Sequence, residues 1–266
     1  MKRLTIEKEN ATYQLLQALK TNRQKRTKRG EIFVESVAAI NAAVQKNLAA
    51  VWIAYSGEKK LSFWAQDTID ALKPDALLRL SSPLMNGLSE RTDASELIVV
   101  FSRPDLSLNS YRPGAPPFIV VLDRPSNAGN LGSILRSCDA FGVDAVITTG
   151  HGVDPFDPQV IRASLGAVFH QNLYYEESST ALMRWIDTIR NRYQDVEVIG
   201  TDSDGSISLQ SKTLRKPVVI IFGNEAKGLS VALKQYVDEI VAIPIQGSVN
   251  SLNLASAASI FLYSVR

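Results

Sequence analysis

Cysteine and histidine are almost absent from this chain, which has a single cysteine, Cys138, and two histidines, His151 and His170. One thiol cannot close an intramolecular disulfide, and so few soft ligands argue against a zinc centre or any other metal site. Long apolar runs are missing too: no stretch approaches the roughly 20 apolar residues of a membrane span. The opening MKRLTIEKEN has no apolar core of a secretory leader. These absences lead us to expect a cytoplasmic protein with no membrane partner and no metal. The remaining composition, 45% hydrophobic and 21% charged, is that of an ordinary globular chain with ample core, and the length suggests two modest domains.

A large net charge is also lacking, but the formal +2 hides an asymmetry. Residues 1–102 carry 15 Lys and Arg against 11 Asp and Glu, a surplus of four, while the remainder carries 14 against 16. Within the basic half, six of the ten residues from Lys20 to Arg29 are cationic, including Arg23, Lys25, Arg26, Lys28 and Arg29. Such a run attracts nucleic-acid phosphates, so these five residues are candidate RNA contacts; the plainer reading is the solvated end of a helix.

Taken in order, residues 5–20 have the spacing of an amphipathic helix with Leu15, Leu16 and Leu19 on one face. GEIFVES, AAVWIAYS, ALLRLS and ELIVVFS read as strands separated by helical stretches, which predicts a small α/β domain over 1–102. RPDLSLNSYRPGAPP, residues 103–117, holds four of the 11 prolines and reads as a linker. From 118 to 266 apolar strands alternate again with helices: FIVVLD, VDAVITTG, AVFHQNLYY, DVEVIGTD, PVVIIFG and DEIVAIPI are the expected strands. Such alternation predicts a mostly parallel sheet with helices on both faces. The last helix is expected to start at an N-cap Ser251.

Three glycine-bearing turns, RPSNAGNLGS, FGNEAKGLS and PIQGSVNSLN, each follow a strand of this second domain, at the sheet end where α/β proteins bind ligands. Neither familiar phosphate loop is present. AGNLGS lacks the third glycine of a dinucleotide fingerprint, and GNEAKGLS has Leu229 where a P-loop needs lysine. Together, however, NAGNLGSILRSCDAFG, IIFGNEAKGLS and IPIQGSVNSLNLASAASIFLY resemble the three ordered motifs of the SpoU (TrmH) family of RNA ribose 2′-O-methyltransferases, in the SPOUT superfamily. Residues 1–102 resemble, less specifically, the L30e-like RNA-binding domain attached in many members.

The resemblance implies a deep trefoil knot in the C-terminal part, S-adenosylmethionine as cofactor, a homodimer built through the catalytic domains and an RNA substrate, ribosomal rather than transfer RNA. A transfer RNA substrate and a non-catalytic RNA-binding paralogue are the alternatives. By motif position Asn130, Arg136, Glu225, Ser251 and Asn253 take the catalytic roles. Gly223, Asn224, Ile243 and Leu252, with Glu225, Ser251 and Asn253, fall where the cofactor is held. Arg162 and Ser164 fall near the substrate. Two positions depart from the pattern: Ala226 and Ser36 stand where the family commonly has glycine.

Methyl transfer from a sulfonium is an in-line displacement, so a protein contributes chiefly alignment. A guanidinium is not deprotonated in proteins, so Arg136 is expected to orient an acceptor phosphate and stabilise developing negative charge rather than act as base. Each residue also has a plainer reading: Arg136 as a surface arginine, Asn130 and Ser251 as helix caps, and Glu225 as a helix-terminus charge or an anchor for its neighbours.

Overall fold

The computed structural model describes residues 1–89 and 95–265. The chain runs β1 (Lys2–Ile6), α1 (Ala11–Thr21), α2 (Arg23–Arg29), β2 (Glu31–Glu35), α3 (Val37–Gln45), β3 (Ala50–Ser56), α4 (Phe63–Leu72), β4 (Ala76–Leu80), α5 (Ser82–Leu88) and β5 (Leu97–Ser102). After a short 3-10 turn come β6 (Phe118–Asp123), α6 (Ala128–Ala140), β7 (Ala145–Thr149), α7 (Pro158–Ala163), α8 (Ala167–His170), β8 (Leu173–Glu176) and α9 (Ser179–Arg192). The chain continues through β9 (Glu197–Thr201), β10 (Ile207–Ser208), β11 (Val218–Phe222), α10 (Val231–Tyr236), β12 (Glu239–Ala242) and α11 (Leu254–Ser264).

Two compact units result. One comprises residues 1–104 with 154–170, the other 105–153 with 171–266. The first is built on a mixed five-stranded sheet, β1-β4-β3-β5-β2, in which β5 runs antiparallel to both its neighbours. The second is built on a seven-stranded sheet, β10-β12-β9-β11-β6-β7-β8, with every described pairing parallel. Central strands of such a sheet are covered on both faces and carry no polar alternation. Accordingly every side chain of β6 and β11 is buried, each large aliphatic contributing about 1.5–3 kcal/mol of transfer free energy. At the outer face α9 buries Leu182, Ile186 and Ile189, spaced for one helical stripe, and Ser178 caps it by accepting from Ala181 N at 3.3 Å.

Several sequence expectations are corrected. Residues 2–6 form strand β1 on β4, and the helix starts only after Asn10, whose side chain accepts from Tyr13 N at 3.0 Å. The proline-rich stretch 103–117 is no bare tether, since Leu108 and Tyr111 are buried in the apolar core of the second unit. The expected strand AVFHQNLYY divides into α8 and β8, separated by Gln171 and Asn172. The stretch 154–170, read as part of the second domain, packs in the first unit, with α7 against β2 and α8 against α3. Tight packing explains it: a Cβ added at Gly166 would lie 3.0 Å from Ala42 Cβ and 3.1 Å from the Ala38 carbonyl oxygen.

Candidate functional site

The carboxyl ends of β9, β11 and β12 lead into the stretches that surround a cavity of about 490 Å³ in the second unit. Its walls combine polar groups of Asn130, Asp202, Glu225 and Ser251 with apolar Ile243, Leu252 and Phe261. All three glycine-bearing motifs reach it.

The loop after β11 is folded back on itself. Asn224 N donates to Gly228 O at 3.0 Å, Gly228 N donates to Asn224 O at 2.8 Å, and Asn224 Oδ1 accepts from the amides of Ala226 and Lys227 at 3.0 Å each. This return passes so close to Gly223 that a Cβ there would meet Gly228 C at 2.3 Å, which is why the position takes glycine. Ala226, where the resemblance led us to expect glycine, is not among the positive-φ residues, so alanine fits the turn without strain.

Glu225, projecting from this loop, holds the start of α6. Its carboxylate accepts from Ser126 N (3.0 Å), Ser126 Oγ (2.6 Å), Asn127 N (3.1 Å) and Asn130 Nδ2 (3.2 Å). Partial burial raises its pKa, but the hydrogen bonds led by Ser126 outweigh that and hold it below the usual glutamate value. Asn127, not Asn130, caps α6, accepting from Asn130 N at 2.9 Å. Asn130 is thereby free to bridge: its Oδ1 accepts from Asn253 Nδ2 at 2.9 Å. Asn253 in turn caps α11, its Oδ1 accepting from Ala255 N at 2.9 Å. The expected cap at Ser251 is corrected: Ser251 lies two residues before the cap, exposed on the cavity wall, with no hydrogen bond among the described residues.

One continuous chain of hydrogen bonds, Asn253 to Asn130 to Glu225, therefore joins motifs separated by 123 and 95 residues. Arg136 stands outside it. Six positions beyond Asn130, at about 100° per residue, it faces elsewhere on α6. It is exposed, does not line the cavity and makes no hydrogen bond or ion pair among the described residues.

Beneath the loop lies a second anchor that sequence reading missed. Asp123, 3% exposed at the end of β6, accepts from Arg124 Nε and Nη2 (3.0 and 2.9 Å), Thr149 Oγ1 (2.9 Å) and Ser230 N (2.8 Å). Burial pushes its pKa up, but the Arg124 guanidinium and these donors prevail and lower it. Arg124, at φ 55°, receives Asn224 Nδ2 on its carbonyl at 2.8 Å. Its adjacency to Asp123 in FIVVLDR was visible; their use against a loop a hundred residues away was not.

The basic run divides. Arg26, proposed as an RNA contact, is 1% exposed and cannot touch a phosphate: it donates to Asp154 (2.8 Å), Asp157 (2.9 Å) and the carbonyls of Leu19 and Lys20 (3.1 Å each). Arg29 pairs with Glu31, leaving Lys25 and Lys28 as exposed cations beside Arg23. Ser164, expected near the substrate, is buried and donates to Ile161 O at 2.9 Å.

Residues 117–263 match the SpoU rRNA Methylase family, and residues 10–99 match the SpoU L30e-like domain. The chain belongs to the SpoU rRNA methylase family. It is 35% identical over 260 residues to the 23S rRNA (uridine(2479)-2′-O)-methyltransferase of Streptomyces viridochromogenes, covering 97% of this chain and 90% of that protein. The crystal structure of the SpoU methyltransferase AviRb of S. viridochromogenes with the cofactor AdoMet superposes with a TM-score of 0.90 at 33% identity, covering 96% of this chain and 97% of the other. An AdoMet-bound rRNA methyltransferase of Sinorhizobium meliloti gives 0.86 at 25% identity over 98% of this chain and 97% of the other.

Among the described residues no helix is long and apolar enough to cross a membrane, and no three His, Cys, Asp or Glu side chains are grouped to hold a metal.

Proposed function

We propose that this chain is an S-adenosylmethionine-dependent RNA ribose 2′-O-methyltransferase acting on ribosomal RNA, with residues 1–102 as its RNA-gripping domain and 118–266 as its catalytic domain. The observation that carries this reading is the Asn253–Asn130–Glu225 network, which builds one cavity wall from all three motifs. The end-to-end similarity to a 23S rRNA enzyme supports ribosomal over transfer RNA.

The cavity suits the cofactor. Ile243, Leu252 and Phe261 offer an apolar face for a base, and the polar groups at the other side can orient a charged tail. When bound, S-adenosylmethionine supplies an electrophilic methyl group on a sulfonium. The chain's task is then to hold a 2′-hydroxyl in line with it. Glu225 already accepts four hydrogen bonds, so it acts as a positioning residue rather than as the base. Asn130 and Asn253 likewise use their amides on each other and on Glu225, fixing the wall. Ser251 Oγ is uncommitted and exposed on that wall, and it orients the acceptor hydroxyl.

A homodimer completes the reading. On α11 Ile260 and Tyr263 are exposed about one helical turn apart, and Tyr263 meets exposed Phe141 edge-on at 6.0 Å. An exposed apolar patch of this kind fits a second copy, and the neighbouring unpaired Arg136 would reach an acceptor through such a contact. A cytoplasmic location and the trefoil knot follow from the same family reading.

The test is calorimetry of the whole protein with S-adenosylhomocysteine. Saturable binding is expected, weakened about tenfold in Asn253→Ala, which loses both its hydrogen bond to Asn130 on the wall and its cap on α11. No binding by the folded protein would reject the methyltransferase reading in favour of an RNA-binding paralogue. Mapping of methylated riboses in ribosomal RNA exposed to the enzyme then identifies the target.

A further inference from the structure

Asp202 stands at the carboxyl end of β9, on the wall of the large cavity, and the mechanism above gives it no task. The sheet fixes its place. β9 and β11 are adjacent and parallel, and Thr201, the last residue of β9, lies opposite Phe222, the last residue of β11. The next residue of each strand, Asp202 on one and Gly223 on the other, therefore leaves the sheet at the same level. Gly223 opens the tight return that ends at Gly228, and a Cβ added at Gly228 would lie 3.9 Å from Asp202 Oδ2. The carboxylate thus sits beside the glycine loop.

Three charged side chains line this cavity: Asp202, Glu225 and Lys227. Glu225 already accepts four hydrogen bonds, and the ammonium of Lys227 can accept none. Asp202 differs from both. Its Oδ2 accepts from Lys234 Nζ at 3.0 Å and its Oδ1 from Asp204 N at 3.2 Å, whereas a carboxylate offers about four acceptor sites. Partial burial raises its pKa, but Lys234 and the amides of Asp204 and Ser203 outweigh that and hold it below the usual aspartate value. The result is an ionised acceptor, fixed in orientation and with capacity to spare. Other polar groups of the lining are committed: Thr201 Oγ1 donates to Ile221 O at 3.3 Å, and Asn253 donates to Asn130.

Nucleotide sites on parallel sheets use such a pair of strands. A glycine loop follows one strand, and a carboxylate at the end of its neighbour accepts from a ribose hydroxyl. In those sites the acid comes after the loop in sequence. Here it comes before the loop, so motif spacing does not reveal it. We propose that Asp202 accepts a hydrogen bond from a ribose hydroxyl of bound S-adenosylmethionine and so makes the cavity selective for a ribonucleoside. This contact rests on the reading of the cavity as the cofactor site.

The test is calorimetry of the whole protein with S-adenosylhomocysteine and with its 2′-deoxy and 3′-deoxy analogues. Asp202→Ala is expected to weaken S-adenosylhomocysteine about 30-fold, the loss of a hydrogen bond to a charged group, and Asp202→Asn, which still accepts, about fivefold. With one of the two deoxy analogues, whose bond is already missing, Asp202→Ala should cost no more than about twofold. Lys234→Ala breaks the same surface ion pair but keeps the carboxylate, and should stay within about threefold of the wild type. Equal losses in Asp202→Ala for all three ligands overturn the ribose contact. If 5′-methylthioadenosine, which has no amino-acid tail, is then bound equally by wild type and variant, the carboxylate serves the ammonium group instead. Equal weakening by Lys234→Ala and Asp202→Ala assigns the effect to the ion pair and also overturns the contact. Unchanged affinity in Asp202→Ala overturns it while leaving the methyltransferase reading standing. A folded wild type that binds none of these ligands overturns that reading and this contact with it.

Discussion

Ser36 occupies a backbone conformation, φ 89° and ψ 144°, that L side chains rarely adopt, at a position where the resemblance led us to expect glycine. Its hydroxyl accepts from Ala39 N at a long 3.4 Å, a weak return for that strain. Ser36→Gly should therefore stabilise the first unit by about 1 kcal/mol, strain relief exceeding the few tenths lost at the cap, and thermal melts would read this as a rise of about 2–4 °C. The departure from the family pattern was legible in the sequence; that the residue bears positive φ was not, because only β2 and α3 packed in place fix that angle. Asp123 offers a second residue-level test. A carboxylate whose folded pKa is depressed contributes stability above its unfolded pKa of about 3.9, and that contribution disappears as pH falls through the lower folded value. Melts recorded from neutral pH into this acid range should show a loss that is smaller in Asp123→Asn, which has no such proton to take up. Glu225 adds to the wild-type slope with the same sign.

Among the elements, α2 shows how a charge pattern misleads. Five of the seven residues in RQKRTKR are basic and none is acidic, yet the helix directs Arg26 inward onto Asp154 and Asp157, while Lys25 and Lys28 face water. Burial pushes the Asp154 carboxyl up, but Arg103 and Arg26 more than offset it, so its pKa lies below the usual value. Arg26→Ala would leave that charge buried with one partner fewer, at a cost of about 3 kcal/mol seen in denaturant unfolding. Lys25→Ala/Lys28→Ala should leave stability nearly unchanged and weaken RNA binding in a salt-dependent way. The last helix is the complementary case. Ser251 and Asn253 were both visible as small polar residues before an apolar run, but which one caps depends on where the chain leaves β12. Asn253 takes the cap because its amide also reaches Asn130 on α6.

For the whole molecule, the chain passes between its two units three times, near residues 104, 153 and 170. A fragment ending at residue 104 would lack α7 and α8 and leave the Arg26 guanidinium without Asp154 and Asp157. The first unit is thus completed by residues that follow β7, within the stretch 117–263 that matches the SpoU methylase family. Association is the other property at this scale. Tyr263→Glu together with Ile260→Asp should convert a dimer into monomers in sedimentation velocity, because two charges on the apolar stripe of α11 would have to be desolvated at the contact. A single monomeric species for the wild type would reject the dimer.

The sequence by itself determined the parallel sheet of the second unit, since FIVVLD and PVVIIFG are apolar on both alternating faces and leave no side for water. It also determined the three polar turns at the strand ends, each punctuated by a glycine that the backbone requires or tolerates. Only the tertiary structure decided what those side chains do. Asn130, Glu225 and Asn253 are 95 and 123 residues apart, and their hydrogen bonds exist only once the strands are ordered side by side. The same holds for the assignment of 154–170 to the first unit and for the burial of Arg26. Local periodicity reports which face of an element is apolar, whereas the partner of a buried charge is chosen by long-range packing.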